Sequence, residues 1–434
     1  MDERRNKPPL LARRKLLTAG ALAGLGAWLI KPNDRGANHT PYYEQLSAKL
    51  NQLALATPRL IIDKQLLNHN IDRLTHHVGS RFNYRIVAKS LPSTALLAHV
   101  MARANSHRLM VFHQPFLNEV ARELPHADVL MGKPMPVQAA KNFYRIHHAS
   151  TSTFNPSLQL QWLIDSPERL AAYAALADEL HQPMRINIEL DIGLHRGGVS
   201  HLDTLNALIE RINAHPLLRL SGLMGYEPHI VKLPGSVHHW QQQAHQHYRA
   251  AMQRIAHYCN SETMETMTFN CGGSPTYQLY NQGHWAFNEL AAGSCLVKPT
   301  DFDLPTLSDH RAACFIATPV LKKLHETRIP GINLGKLQAL WDPNKAQSFF
   351  TYGGYWKAHP ESPRGLSYNA LYGRSTNQDL LNGSNSVQLN VDDWIFLRPT
   401  QSEFVFLQFG DLVVIDAEQE SHFWPILSAH ASAA

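Results

Sequence analysis

At 434 residues the chain has room for two buried cores, since a single domain commonly takes about 100–200 residues. Its formal charge of +5 is small for this length, and its lysines and arginines are scattered among acids, which excludes a nucleic-acid-binding surface. The composition excludes collagenous, disordered and multi-span classes. The four cysteines (Cys259, Cys271, Cys295, Cys314) have no Cys-x-x-Cys spacing, so they make no zinc or redox motif and leave the compartment open.

Residues 1–40 read as an export signal or membrane anchor with a linker. Arg4, Arg5, Arg13, Arg14 and Lys15 precede an uncharged run from Leu16 to Ile30, too short for a relaxed span but suited to a signal h-region or a tight anchor. Arg13-Arg14-Lys15-Leu16-Leu17 resembles a twin-arginine export signal, with Leu16 where that family usually has Phe. This points to the periplasm or the periplasmic face of the inner membrane, with a cytoplasmic protein carrying an apolar N-terminal helix as the alternative.

Tyr42–Thr57 reads as a leader helix, Pro58–Asp63 as a short strand, and the stretch from Leu66 to about His77 as a helix. Eight strand-like runs follow: Tyr84–Lys89, Arg108–His113, Asp128–Lys133, Leu158–Asp165, Arg185–Ile192, Arg219–Tyr226, Thr266–Gly273 and Asn288–Cys295. Helical patterns such as Pro167–His181 and Leu202–Ala214 separate most of them. Eight strands in this rhythm predict an α/β fold, a closed (β/α)8 TIM-type barrel, with 41–305 as the barrel domain. After Asp303 the pattern becomes antiparallel in character: Ala313–Leu324, Ser348–Trp356, Asp393–Leu397 and Glu403–Asp416. Residues 306–434 therefore read as a C-terminal β domain, with Pro58–Asp63 returning to complete it.

The 26 histidines include the adjacent pairs His76-His77, His147-His148 and His238-His239, whose rings point apart on a helix. His238 and His245 share a helical face, which we read as solvated or half-buried rather than metal-binding.

Four positions at the carboxyl ends of the strands carry chemistry. Lys89 closes Tyr84-Arg-Ile-Val-Ala-Lys89, where parallel barrels place reactive groups and where a lysine can hold a carbonyl cofactor as a Schiff base. Asp191-Ile-Gly-Leu-His-Arg196-Gly-Gly-Val199 offers a planar, permanently charged donor beside two glycines, or else a turn closed by an internal Asp–Arg pair. Asn270-Cys-Gly272-Gly273-Ser274-Pro-Thr276-Tyr277 follows strand seven, where barrels bind phosphate with loop amides and hydroxyls. Gly222-Leu-Met-Gly-Tyr226-Glu-Pro-His229 supplies an aromatic and an imidazole able to flank a flat ring, although His229 also fits a structural role.

A strand-one lysine, a strand-five arginine and a strand-seven phosphate loop together suit pyridoxal 5′-phosphate. From Thr57 to about Asp416 the chain resembles the alanine-racemase-like, fold-type III pyridoxal-phosphate enzymes, in the branch of D-threonine aldolases and D-serine dehydratases. The resemblance implies that Lys89 forms the Schiff base and Arg196 contacts the cofactor's phenolic oxygen. It places Tyr226 and His229 near the pyridine ring, and Gly272, Gly273 and Ser274 on the phosphate. It further implies a small-molecule amino acid substrate and a homodimer whose sites use both subunits. The expected reaction breaks a bond at Cα of a D-amino or hydroxy amino acid, with Lys89 as general base.

The chain departs from these relatives in three places. Racemases of this fold direct an arginine at the pyridine nitrogen, whereas this chain reads Glu289-Leu-Ala291-Ala292-Gly293. Their Val-Lys-Ala-Asn run is replaced by Ala88-Lys89-Ser90-Leu-Pro92. Where the aldolases and dehydratases carry a metal-binding His-x-Cys or His-x-Asp pair, this chain has Pro399-Thr-Gln401-Ser-Glu403, so no metal site is expected. Asn377 and Gln378, with Gln401, are candidate donors to the substrate, or Arg374–Gln378 only caps a hairpin. A lyase is the leading expectation. A periplasmic racemase is the alternative within the enzyme class, with Tyr352, Tyr355, Tyr368 or Tyr372 as second base. A non-catalytic pyridoxal-phosphate-binding protein is the alternative outside it. Small carriers of this fold lack a β domain, so its presence here favours catalysis.

Overall fold

The computed structural model describes residues 31–328, 335–416 and 420–428. The basic and apolar N-terminal run on which the export reading rests lies outside these residues, and no described helix is long and apolar enough to cross a membrane.

The chain forms two compact units, one of residues up to Pro58 with Ala317–Leu397, the other of Arg59–Ile316 with Arg398–Ala434. The second unit opens on β1 (Arg59–Asp63) and then builds a closed barrel. Its staves are β2 (Asn83–Val87), β3 (Arg108–Val111), β4 (Asp128–Met131), β5 (Leu160–Ile164), β6 (Met184–Leu190), β7 (Leu218–Gly225), β8 (Thr268–Cys271) and β9 (Glu289–Ala292). All eight pair in parallel, and β9 closes on β2 with Tyr84 opposite Leu290. Each expected strand is present, and the expected helices run from Lys64 to Val78, Pro167 to Leu180 and Leu202 to Ala214. Side-chain oxygens of Asp63 and Ser166 cap the first two by accepting from Leu66 and Arg169 amides.

Alternation along the staves sorts their side chains. Ile86, Leu109, Val129, Ile188 and Leu223 are fully buried, as residues beneath the surrounding helices must be. Much of the opposite set at the amino-terminal half of the staves is polar and equally buried. Gln161 on β5 donates to Thr268 on β8 (2.9 Å) and accepts from Asn187 on β6 (3.1 Å). β5 and β8 are not neighbours, so the Gln161–Thr268 bond crosses the barrel interior. At the amino-terminal end of the staves, buried Arg85 donates twice to buried Glu289 and binds Asp128 at 2.6 Å. Arg108 (3.1 Å) and Asn270 (2.8 Å) complete the Glu289 shell. Burial costs this guanidinium solvation, but Glu289 and Asp128 outweigh that cost and hold its pKa above the usual value.

The other unit begins with the helix Pro41–Gln52, shorter than the expected Tyr42–Thr57. Its sheet uses β10 (Cys314–Leu324), β11 (Gln347–Thr351), β12 (Ala358–Ser362), β13 (Ser367–Tyr368), β14 (Leu380–Gly383) and β15 (Trp394–Pro399). β10, β11, β14 and β13 pair antiparallel in that order, with Val320 opposite Thr351 and Ser348 opposite Asn382.

The C-terminal segment differs from its expectation. The run Glu403–Asp416 divides into a short helix, Glu403–Phe406, and β16 (Leu412–Ile415). Val405 and Phe406 are buried while Phe404 is 70% exposed, a sidedness that apolar composition alone does not reveal. β16 pairs in parallel with β1 and antiparallel with β17 (Ser421–Trp424), so Pro58–Asp63 does join C-terminal strands. The described residues from Arg398 to Ser428, read as the end of the β domain, instead group with the barrel. Polar bonds hold them there: Arg398 binds Asp303 (2.6 Å) and the Lys298 carbonyl (2.8 Å), and the Leu427 amide donates to the Pro92 carbonyl (2.8 Å).

Candidate active site

β2 ends at Val87, and a single 3-10 turn, Ala88–Ser90, follows before Pro92 and the Ser93-capped helix Thr94–Ala104. That turn presents Lys89 at the carboxyl end of the barrel, in a pocket it shares with Phe112, Arg196 and Tyr226. The Lys89 Nζ lies 2.7 Å from Glu403 Oε1 and 4.7 Å from the centroid of the Phe112 ring. Val87, Met110, Met224 and Ala291 wall the pocket with apolar surface.

The β8 and β9 loops form a cradle along the same pocket. Ser274 Oγ accepts from the amides of Gly293 and Cys295, each at 3.1 Å. The amides of Gly273, Ser274 and Ser294 donate to no group among the described residues, although all three residues line the pocket. Close approach explains the glycines. A Cβ on Gly273 would stand 2.6 Å from the Tyr226 ring, and one on Gly293 would stand 2.7 Å from the Val87 carbonyl.

Glu227 fixes the cradle from below, a role the sequence did not reveal. Its side chain is fully buried and accepts from the Gly272 amide (3.2 Å), Cys271 Sγ (3.2 Å), Thr276 Oγ1 (2.8 Å) and the Tyr280 hydroxyl (2.7 Å). The one available signal was an acid two residues past the end of β7. Its neighbour Tyr226 faces the pocket, and burial with the Glu227 charge pushes the phenol up to about 12 against the pull of Arg196. Tyr280 passes the network on to His245 Nε2 (3.0 Å), whose pKa burial lowers to about 4. His245 is thus a neutral core histidine, and His238 is exposed.

Arg196 is held over this wall by a pinned loop. Asp191 accepts from the Gly193 and His195 amides and from His195 Nδ1 (2.9 Å), while Val199 rejoins Leu190 as a β-bridge. Asp191 therefore pairs with His195 rather than with Arg196, whose guanidinium lies 5.2 Å from the Tyr226 ring centroid.

The structure brings Lys89, Arg196, Tyr226, Gly272, Gly273 and Ser274 to one pocket and adds Ser294, Asn270 and Glu403. His229 is not among them. The 3-10 turn Pro228–Val231 carries it into a separate pocket with Asp191, His195, Trp240 and His247, where its Nδ1 is buried without a partner. Gln401 donates to Asp301 (3.1 Å), and Glu403, two residues on, is the side chain of that segment in the pocket lining. Asn377 and Gln378 belong to the other unit, where the Gly353 amide donates to the Asn377 carbonyl and Lys322 donates to Gln378. Glu289 is occupied at the opposite end of the staves by Arg85 and Arg108, and the small residues Ala291, Ala292 and Gly293 line the pocket instead.

Over residues 62–301, more than half of its length, the chain matches the family described as alanine racemase, N-terminal domain. It belongs to that family, whose members are fold-type III enzymes dependent on pyridoxal 5′-phosphate. No curated protein matches it in sequence. Among solved structures it is similar to a D-threonine aldolase from Filomicrobium marinum (14% identity, TM-score 0.66, covering 86% of this chain and 98% of the other). It is also similar to a D-threo-3-hydroxyaspartate dehydratase from a Delftia species (16% identity, TM-score 0.65, 86% and 98%) and to an alanine racemase from Clostridium difficile (12%, 0.63, 86% and 99%). These likenesses establish a shared fold.

The pocket fits the family's cofactor. Three undirected amides and a hydroxyl suit a phosphate, a reachable amine suits an aldehyde, and the Tyr226 ring beside Gly273 suits a flat heterocycle.

Proposed function

We propose that this chain is a pyridoxal-phosphate-dependent lyase acting at Cα of a D-amino acid or hydroxy amino acid. The observation that carries the reading is the placement of the Lys89 amine and the Gly273–Ser274–Ser294 amide cradle in one barrel-mouth pocket. Lys89 is the residue that would hold the aldehyde, and the cradle amides with the Ser274 hydroxyl would hold the phosphate. Tyr226 and Arg196 would bound the ring. When bound, the cofactor supplies an electron sink for negative charge at Cα.

The chain's own groups do the remaining work. Lys89, freed as an amine, takes a proton on its side of Cα, while Val87, Met110, Met224 and Ala291 keep the walls apolar. A racemase needs a second base on the opposite face of Cα, whereas a lyase needs only one; the lyase reading follows the likeness to a D-threonine aldolase and a D-threo-3-hydroxyaspartate dehydratase.

The test is to incubate the purified full chain with pyridoxal 5′-phosphate, reduce with borohydride and map the modified peptide. A visible band of lysine-bound aldehyde and a label on Lys89 are expected; no band, or a label on another lysine, sinks the reading. Panels of D- and L-amino acids, scored separately for keto acid, aldehyde and enantiomer, then decide the reaction. Enantiomer as the sole product would replace the lyase by a racemase. We also infer export through the Arg13-Arg14 segment, to be checked by fractionating cells that express the wild type and the Arg13→Lys, Arg14→Lys pair.

A further inference from the structure

Glu403 has no role in the function just described, yet it is the closest charged group to the reactive amine. It comes from the C-terminal segment, and the first turn of the short helix Glu403–Phe406 places its carboxylate 2.7 Å from Lys89 Nζ. Among the described residues lining the pocket, the side chains that carry charge or titrate are Lys89, Arg196, Tyr226 and Glu403, so Glu403 is the pocket's one carboxylate. The Lys89 and Glu403 side chains are 37% and 42% exposed, so the pair is open to an entering molecule and adds little to stability.

A lysine that must join an aldehyde faces a specific chemical problem. As an ammonium it has no lone pair, and once it has added to the carbonyl carbon, the oxygen must leave as water. Both events are accelerated by a proton carrier positioned within hydrogen-bonding distance of the nitrogen and the departing oxygen.

We propose that Glu403 is that carrier, the acid–base residue that serves the Lys89 nitrogen. The Lys89 ammonium passes one proton to the Glu403 carboxylate, and the freed amine attacks the aldehyde carbon. The nitrogen–carbon bond forms as the carbonyl π pair moves to oxygen. That oxygen takes up the second proton the nitrogen loses, then receives the Glu403 proton and departs as water while the carbon–nitrogen double bond forms. One amine and one aldehyde give one imine and one water, with nothing oxidised or reduced, and Glu403 ends as it began. The inference rests on the assignment of Lys89 as the aldehyde-binding residue.

The experiment follows imine formation rather than turnover. Full-length wild type, Glu403→Gln and Glu403→Asp are mixed with pyridoxal 5′-phosphate, and the rate at which the visible band appears is recorded. Binding of pyridoxine 5′-phosphate, which carries an alcohol in place of the aldehyde, is measured in parallel by fluorescence. We expect Glu403→Gln to form the band about 100-fold more slowly, Glu403→Asp to recover part of the rate, and the alcohol analogue to bind all three equally. A band that appears in Glu403→Gln at the wild-type rate or faster overturns the proposal, since Glu403 would then only neutralise the amine. Equal loss of rate and of analogue binding overturns it as well, because Glu403 would then be shaping the pocket. If the wild type binds the analogue yet forms no band, the assignment of Lys89 fails and takes this inference with it, an outcome distinct from a normal wild type with an unaffected Glu403→Gln.

Discussion

Arg85 within the stave β2 and Lys89 in the turn that follows it stand four residues apart, and they are treated in opposite ways. Arg85 is wholly buried, with its donors taken by Glu289, Asp128 and the Leu109 carbonyl. Lys89 is 37% exposed and meets one half-exposed carboxylate, beside amides that have no partner. A saturated ionic network at the amino-terminal end serves stability, because every buried charge must be answered. Unsaturated donors at the carboxyl end serve binding, because only unanswered groups can receive a ligand.

The sharpest test of this contrast is Lys89→Ala. The visible band with pyridoxal 5′-phosphate should vanish completely, while the unfolding free energy stays within about 1 kcal/mol of wild type by denaturant titration, as for an exposed ion pair. Glu289→Ala should reverse the pattern. Removing one partner of a buried ionic network costs roughly 3–5 kcal/mol, and the fraction of protein that remains folded should still form the band. Band loss without destabilisation would break the division between the two ends.

Glu227→Gln addresses the boundary between them, since its buried carboxylate supports the phosphate cradle. Affinity for pyridoxal 5′-phosphate should fall about tenfold, which is near 1.4 kcal/mol, while affinity for pyridoxal, which lacks the phosphate, should not change. Equal losses for both would remove Glu227 from the cradle.

The last effect is one of pH. His245 is held neutral, with its pKa lowered from 6.5 to about 4 by burial. Between those values the unfolded chain binds more protons than the folded one, so this group's contribution to stability is present above about pH 6.5 and is lost as pH falls toward 4. The stability difference between wild type and His245→Gln should therefore shift against the wild type by roughly 1–3 kcal/mol across that window. A difference independent of pH would show that His245 does not carry the linkage.

Much of this was legible in the sequence, for identifiable reasons. Period-two and helical patterns are local, so all eight staves and some of the helices between them could be placed, and with them the positions of Lys89, Arg196 and the Gly272–Ser274 turn. The Glu403–Phe406 helix was misread as strand because Phe-Val-Phe-Leu is apolar either way, and only packing decides which of those faces is buried. Asp191 was weighed as a partner for Arg196, but backbone geometry at His195 (φ 55°) turns that imidazole onto the carboxylate.

By itself the sequence determined the barrel, the stave that Lys89 follows and the glycine turn after β8, because each depends on residues close together in the chain. Tertiary structure alone decided which groups meet them. Glu403 reaches Lys89 across 314 positions, and Glu227 reaches the Gly272 amide across 45. Such pairings depend on closure of the barrel and return of the C-terminal segment, which bring together groups that no local pattern connects.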